Sequence, residues 1–322
     1  MHRTSFPLLR ASLVATLLAL STNLGGCAVE GDGEETGQDE SEVKKNGSRR
    51  FEVLTHNVGG GAENDGGPAG IAYTFSRIDA AKPDVVMLEE VCQAQLDAFK
   101  AKYPGWSVLF APMTTNVGGE KCGGTPKGQL LASPRAMTEA IRKDLGDPDG
   151  PKSFTLLCGD VPVPGTQRKV LACVTHLHAT GSDFAVAEAA RKRQAWRIAD
   201  TLNPRINDGK SVVLAGDFNA GPGREPLNNL YRLTTSGNPT GGKFDEADQT
   251  DASREEYARR EDVTCAAASC RSGEGTLVDG KAKLDYVFFS HNRVADGQLG
   301  ANVAGTGGSG HRVYLAWAKL DL

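Results

Sequence analysis

The chain has 322 residues, of which 39% are apolar and 24% charged, with a formal net charge of −4. That length holds one large domain or two modest ones, and the composition is that of a globular protein, not of a fibrous or wholly disordered one. Its 39 glycines predict short strands joined by long, turn-rich loops.

The N-terminus reads as a signal peptide over residues 1–26. Arg3 and Arg10 supply positive charge, Ala11–Leu20 is apolar, and small residues follow. The apolar run is too short for a membrane span, which takes about 20 residues. The stretch LGGC, Leu24–Cys27, resembles the lipobox of bacterial lipoproteins. That resemblance implies acylation of Cys27, a membrane anchor and a cell-envelope location; the alternative is an ordinary secretion signal and a secreted soluble product. Residues 27–48 are polar and acidic with no apolar periodicity, and are expected to be a disordered tether. The signal carries +2 and the tether −5, so the body over 49–322 is left near −1. A nearly neutral body gives no broad basic face for nucleic acid.

Seven cysteines become six once Cys27 is set aside, an even number that suits disulfides in an exported protein. Cys158–Cys173 would join two adjacent strands and Cys265–Cys270 would close a short loop, which leaves Cys92–Cys122 by elimination. Six cysteines allow about fifteen pairings, so spacing alone leaves the choice open.

From Phe51 onward, short apolar runs alternate with loops. FEVLTHNV begins as a strand and ends on Asn57, IAYTFSRIDAAK has a helical pattern stopped by Pro83, and DVVMLEEV is a buried strand ending on Glu89 and Glu90. WSVLFAP and GQLLAS are further strands. SFTLLCGDVPV and KVLACVTHLH form a hairpin around Pro164–Gly165. The main helix is expected over Asp183–Leu202, with Ser182 or Asp183 as cap and Ala195, Ile198, Ala199 and Leu202 on one face. SVVLAGDFN, a loop-rich stretch to about Asp279, KLDYVFFS and HRVYLAWAKL complete the chain. Strands outnumber helices and few helices connect them, which predicts an α+β sandwich of mixed sheets covered by helices.

Several of these strands deliver a polar group where they start or stop: Asn57, Glu90, His176, Asp217 with Asn219, and Asp285, with His311 before the final strand. Together they predict strands converging on one rim. Mg²⁺ takes oxygen ligands and keeps several waters, and Glu90 with the amide oxygen of Asn57 would supply such a partial shell; Mn²⁺ is the alternative. Asp217 would orient or deprotonate an attacking water, and Asn219 would hold that water or a phosphoryl oxygen. His176 and His311 are suited to stabilise charge on the non-bridging oxygens, with Asp285 orienting one imidazole.

The ordered set THNVGG, PDVVMLEEV, VTHLH, LAGDFNAGP, LDYVFF and SGHRVYL resembles the deoxyribonuclease-I-like endonuclease/exonuclease/phosphatase family from Phe51 to about Trp317. The resemblance implies a four-layer α/β sandwich of two mixed β-sheets flanked by helices, and a Mg²⁺-dependent phosphodiesterase or phosphatase. It makes Asn57 and Glu90 metal-side residues, His176 a phosphate-contacting His, Asp217 and Asn219 the pair that positions nucleophile and phosphate, and Asp285 the partner of the transition-state His311. Two positions depart from the pattern. Gly310 stands where family members usually carry an Asp, which bears on the number of metal ions, and Glu89 stands where Gln is common, adding a negative charge near the cation.

The resulting expectation is an exported phosphodiesterase with nucleic acid as substrate. A sphingomyelinase-like enzyme acting on phospholipid headgroups, suggested by THLHA and the following Arg193–Gln194, and another phosphatase are the alternatives within the class. A non-catalytic binding protein on the same scaffold is the rival outside it. His178 and Arg271 are secondary candidates for the site. Arg191, Lys192 and Arg193 read most simply as a solvated helix face.

Overall fold

The computed structural model describes residues 48–61, 64–113, 122–146, 154–179, 183–233, 240–249, 271 and 273–321. Residues Glu42–Leu322 form the unit that carries the fold. The expected Cys265–Cys270 pair, Cys27 and the signal segment lie outside the described residues.

Twelve strands and three α-helices follow one another along the described residues. The order is β1 (Ser48–Asn57), α1 (Ala72–Ala81), β2 (Val85–Val91), α2 (Gln93–Lys102), β3 (Ser107–Pro112), β4 (Gly128–Ser133), β5 (Thr138–Asp144) and β6 (Thr155–Pro162). It continues through β7 (Lys169–His176), α3 (Phe184–Asn207), β8 (Ser211–Asp217), β9 (Phe244–Glu246), β10 (Asp285–Ser290), β11 (Val294–Val303) and β12 (Tyr314–Asp321). They build two six-stranded sheets, ordered β11-β12-β1-β2-β4-β3 and β5-β6-β7-β8-β10-β9. Each sheet has one parallel pair at its centre, β1 with β2 and β7 with β8, flanked by antiparallel neighbours. A helix crosses over between the strands of each parallel pair, α1 in the first sheet and α3 in the second.

Side-chain alternation explains the layering. Along β2, Val85 and Met87 face the second sheet, while Val86 and Leu88 face α1 and α2. The facing interiors of the two sheets share one core, with Phe51, Val53, Leu157, Val174, Val213 and Phe289 among its members. Ala195, Ile198 and Leu202 of α3 cover the outer face of the second sheet over Leu171, Cys173 and Leu214. The result is the four-layer α+β sandwich expected, helices outside and sheets inside.

The chain departs from the sequence reading in places where the pattern carries little signal. Helix α3 runs to Asn207, past Leu202, and takes Pro204 into its last turns. Helix α2, not expected from the sequence, buries Leu96 and Phe99, and Gln95 at its third position accepts from the Cys92 amide at 3.0 Å. Strand β5 (TEAIRKD) buries only Ile141, the charged habit of an edge strand. Asp183 caps α3 as expected, accepting from the amides of Ala185 and Val186. Cys158 and Cys173 face each other across β6 and β7 and are bonded, as are Cys92 and Cys122. Among the described residues, no helix is long and apolar enough to cross a membrane.

Candidate active site

Strand polarity places the site. The parallel pairs end, and their antiparallel neighbours begin, along one rim, as expected for sites at the carboxyl ends of central strands. Asn57 closes β1 opposite Glu89 of β2; His176 closes β7 opposite Asp217 of β8; Asp285 opens β10 opposite the same Asp217. His311 sits three residues ahead of β12, bridged to Leu277. Segments 160 and 255 residues apart in sequence thereby touch.

Local backbone geometry serves this convergence. Glu90 (φ 56°) and Asn219 (φ 51°) both adopt left-handed conformations that non-glycine residues avoid at a cost of about 1–2 kcal/mol. At Glu90 the pairing of β2 with β4 shifts register between Leu88 and Val91, which turns its side chain out while Glu89 stays buried. Gly216 (φ 138°) cannot be replaced, because a Cβ there would meet the Thr175 carbonyl oxygen at 1.9 Å.

Asp217 is the hub. Its Oδ2 accepts from Asn57 Nδ2 at 3.0 Å and lies 3.5 Å from His176 Nε2 and 3.6 Å from His311 Nε2. Its Oδ1 accepts from the Asn219 amide at 2.8 Å. Burial raises the Asp217 carboxyl above its ordinary range, and Asp285 adds to this, although His311, His176 and the Asn219 amide pull the other way. His311 Nδ1 faces both oxygens of Asp285, at 2.9 and 3.1 Å. That contact fixes Nδ1 as the protonated nitrogen and aims Nε2 at Asp217. Asn219 Nδ2 donates to the Leu177 carbonyl at 3.1 Å.

Glu90 stands on the other side of His176, its Oε1 4.0 Å from Nδ1, and its Oε2 accepts from Lys127 Nζ at 2.6 Å. Burial opposes ionisation of Glu90, but His176 and Lys127 together outweigh it and hold the carboxyl below its usual range. Asn57 and Glu90 offer oxygen donors, the type a hard cation takes. Asn57 Oδ1 already accepts from the Gly59 amide at 3.0 Å and retains a second lone pair. Among the described residues, Asp217, Asp285 and His311 form a group with ligand atoms all within 4.8 Å of one another. The Nδ1 of His311 is committed to Asp285, and a nitrogen donor suits Mg²⁺ poorly, so that group reads as a carboxylate–His relay and Glu90 with Asn57 as the cation side.

Glu89 corrects the sequence reading. Burial first, then the nearby Asp285 and Asp217, raise its carboxyl well above the ordinary range, which opposes the added negative charge expected beside the cation. Its Oε1 accepts from Thr55 Oγ1 at 3.1 Å, and its buried Oε2 has no hydrogen-bond partner among the described residues.

Arg271 and His178 are structural. Arg271 is buried, donating to the Leu233 carbonyl at 2.7 Å and to Asn228 Oδ1 at 2.6 Å, with its guanidinium over Tyr231. The His178 ring packs on Phe154 and its Nδ1 lies 2.5 Å from the Ala179 carbonyl. Several supporting groups carried no sequence signal. Lys127 lies in a loop before β4. Ser309 Oγ donates to the Asn57 carbonyl at 2.6 Å and accepts from the His311 amide at 3.1 Å. Thr276 Oγ1 accepts from the amides of Leu284 and Asp285. His56 reaches the His311 carbonyl through Nε2 at 3.2 Å, and its burial lowers it to about 4.

The fold resembles that of several solved structures. The human Nocturnin catalytic domain with bound sulfate anion matches at TM-score 0.57 and 16% identity, over 84% of this chain and 94% of that one. Truncated Caenorhabditis elegans TDP2 matches at TM-score 0.57 and 14% identity, over 84% and 98%. D. rerio TDP2 complexed with single strand DNA product matches at TM-score 0.56 and 15% identity, over 85% and 99%. No curated protein sequence matches the chain. The sequence model of the Endonuclease/Exonuclease/phosphatase family matches residues 54–307, which contain Asn57, Glu90, His176, Asp217, Asn219 and Asp285 but not His311. With the fold, the rim and that match in agreement, the chain belongs to the endonuclease/exonuclease/phosphatase family.

Proposed function

We propose that the protein is an exported, Mg²⁺-dependent phosphodiesterase that hydrolyses nucleic acid, held at the cell envelope by a lipid on Cys27. The observation that carries the activity is the environment of Asp217. A buried carboxylate, held by two amide donors, has the Nε2 atoms of two histidines within 3.6 Å of one oxygen. In this reading Asp217 takes a proton from a water as the water oxygen bonds to phosphorus and the opposite P–O ester bond breaks. Asn219 positions the water or a phosphoryl oxygen. His176 and His311 donate to the non-bridging oxygens where charge gathers, and Asp285 keeps His311 oriented and favours its charged form. A divalent cation held by Glu90 and Asn57 would neutralise phosphate charge when bound.

Support for a nucleic-acid substrate comes from the relative solved with a single strand DNA product. The test is a panel of plasmid DNA, single-stranded oligonucleotides, RNA, sphingomyelin, inositol phosphates and nucleotides, assayed with Mg²⁺ or Mn²⁺ and with EDTA. Metal-dependent cleavage of nucleic acid is expected, with hydrolysis of bis-p-nitrophenyl phosphate that falls at least about 10²-fold in Asp217→Ala and His311→Ala. Undiminished hydrolysis in either variant would overturn the assigned roles. Turnover of sphingomyelin alone would replace nucleic acid by a lipid headgroup.

A further inference from the structure

The first residue of α3, Phe184, is an exposed aromatic ring, 50% accessible. Two guanidinium groups lie over it: Arg224, 5.3 Å from the ring centroid, and Arg191, 5.8 Å away. Arg191 is buried and spoken for, donating through Nη1 to the His178 carbonyl at 3.1 Å. Arg224 is exposed, and among the described residues its guanidinium has no hydrogen bond or ion pair; its contact is the Phe184 ring. Lys192 and Glu225 beside it pair with each other, so neither neutralises Arg224.

This aromatic–arginine group borders the catalytic rim. Arg191 is close enough to Asp217 and Arg224 to feel the charge of both. Leu177, next to His178, donates its amide to the Asp217 carbonyl at 2.9 Å and accepts from Asn219 at 3.1 Å. Arg224 itself is five residues beyond Asn219, on the same loop, closed by an Arg224 amide bond to the Gly221 carbonyl at 3.0 Å. A half-exposed ring beside a guanidinium that has no anionic partner among the described residues, at the edge of a phosphodiesterase site, has the chemistry of single-strand recognition: a π-face for a base and a cation for a phosphate.

We propose that Phe184 stacks the nucleoside adjacent to the scissile phosphate, while Arg224 binds the flanking phosphate, which makes single-stranded nucleic acid the substrate class. This rests on the nucleic-acid reading above and deepens it. The test compares kcat/KM for a single-stranded oligodeoxynucleotide with kcat/KM for methyl p-nitrophenyl phosphate, which has no neighbouring nucleoside. In Phe184→Ala the ratio of oligonucleotide to small ester should fall about tenfold, and Phe184→Trp should restore it, in keeping with the usual cost of losing one base stack. Arg224→Ala should lower the ratio about threefold and flatten its dependence on salt, as loss of one phosphate contact does. An unchanged ratio in Phe184→Ala, or equal losses on both substrates, overturns the platform while leaving the nuclease intact. A wild-type protein that hydrolyses the ester and no oligonucleotide overturns the nucleic-acid reading and the platform together.

Discussion

Two clusters of buried charge lie between the sheets, and they are balanced in opposite ways. In one, Lys283 is fully buried with its Nζ 3.4 Å from Glu246 Oε1 and 3.3 Å from Asp248 Oδ2, against the rings of Tyr314 and Tyr286. Tyr314 of β12 donates to Glu246 of β9 at 2.5 Å, so the cluster ties the first sheet to the second. It carries its own ammonium. In the other, Asp217, Asp285 and Glu89 are buried around two histidines, and the ammonium of Lys127 at the same rim pairs with Glu90. A buried carboxylate closed by a fixed cation is a clasp. A carboxylate whose cationic partners are imidazoles answers to protons, to a metal and to phosphate, which is what chemistry requires.

The contrast can be broken from either side. Lys283→Met strands two buried carboxylates, and loss of one partner of such a group costs about 3–5 kcal/mol. Melting curves should show a fall on the order of 10 °C at pH 8; a shift under about 2 °C would mean the clasp contributes nothing. Asp285→Asn should leave the melting temperature within about 2 °C but lower kcat about 10²-fold, because His311 loses the group that orients and charges it. Steady-state kinetics on bis-p-nitrophenyl phosphate read this directly, and a stability loss larger than the rate loss would erase the distinction between the two clusters.

A finer cut uses pH. Burial raises Glu246 to about 7, with Lys283 opposing and Asp248 adding to the rise. A carboxyl whose folded value is raised binds more protons in the folded than in the unfolded state. Its contribution to stability is therefore complete below about 4.5 and is lost as pH rises through about 7. Relative to Glu246→Gln, which has no such proton to lose, the wild-type melting temperature should drop by several degrees between pH 5 and pH 8. Parallel curves would reject the raised value. The smallest effect is expected at Glu89→Gln. Burial and the neighbouring carboxylates oppose ionisation of Glu89, so kcat should stay within about threefold of wild type on this neutral substitution, and a hundredfold change would give a charged Glu89 a part in the site.

How much of this was legible in the sequence follows from how locally each feature is encoded. The strands Ser48–Asn57, Val85–Val91 and Ser211–Asp217 announce themselves because apolar runs lead into polar residues, and the site residues sit at or near those ends. Strand β11 (VADGQLGANV) was illegible: it is Gly-rich, its pairing shifts between Val294 and Leu299, and partner strand β12 supplies what periodicity it lacks. Lys127 is a loop lysine until the register shift in β2 swings Glu90 towards it. Ser309 and Thr276 are ordinary hydroxyls whose partners lie on other segments. The raised carboxyl of Glu89 could not be read from its letter either, since burial is its first cause. The burial of Arg271 against Tyr231 is hidden for the same reason, since it stands in a polar stretch.

The catalytic rim also has a consequence for biogenesis. The first sheet supplies Asn57 and Glu90, the second supplies His176, Asp217 and Asp285, and the hydrogen bond from Asn57 to Asp217 joins them. Neither sheet alone carries the proposed centre, so activity should return only once the two sheets have docked. Enzymatic turnover should thus be the slowest signal to return on dilution from denaturant, trailing the recovery of helix and sheet, and it offers a sensitive gauge of whether a preparation has matured.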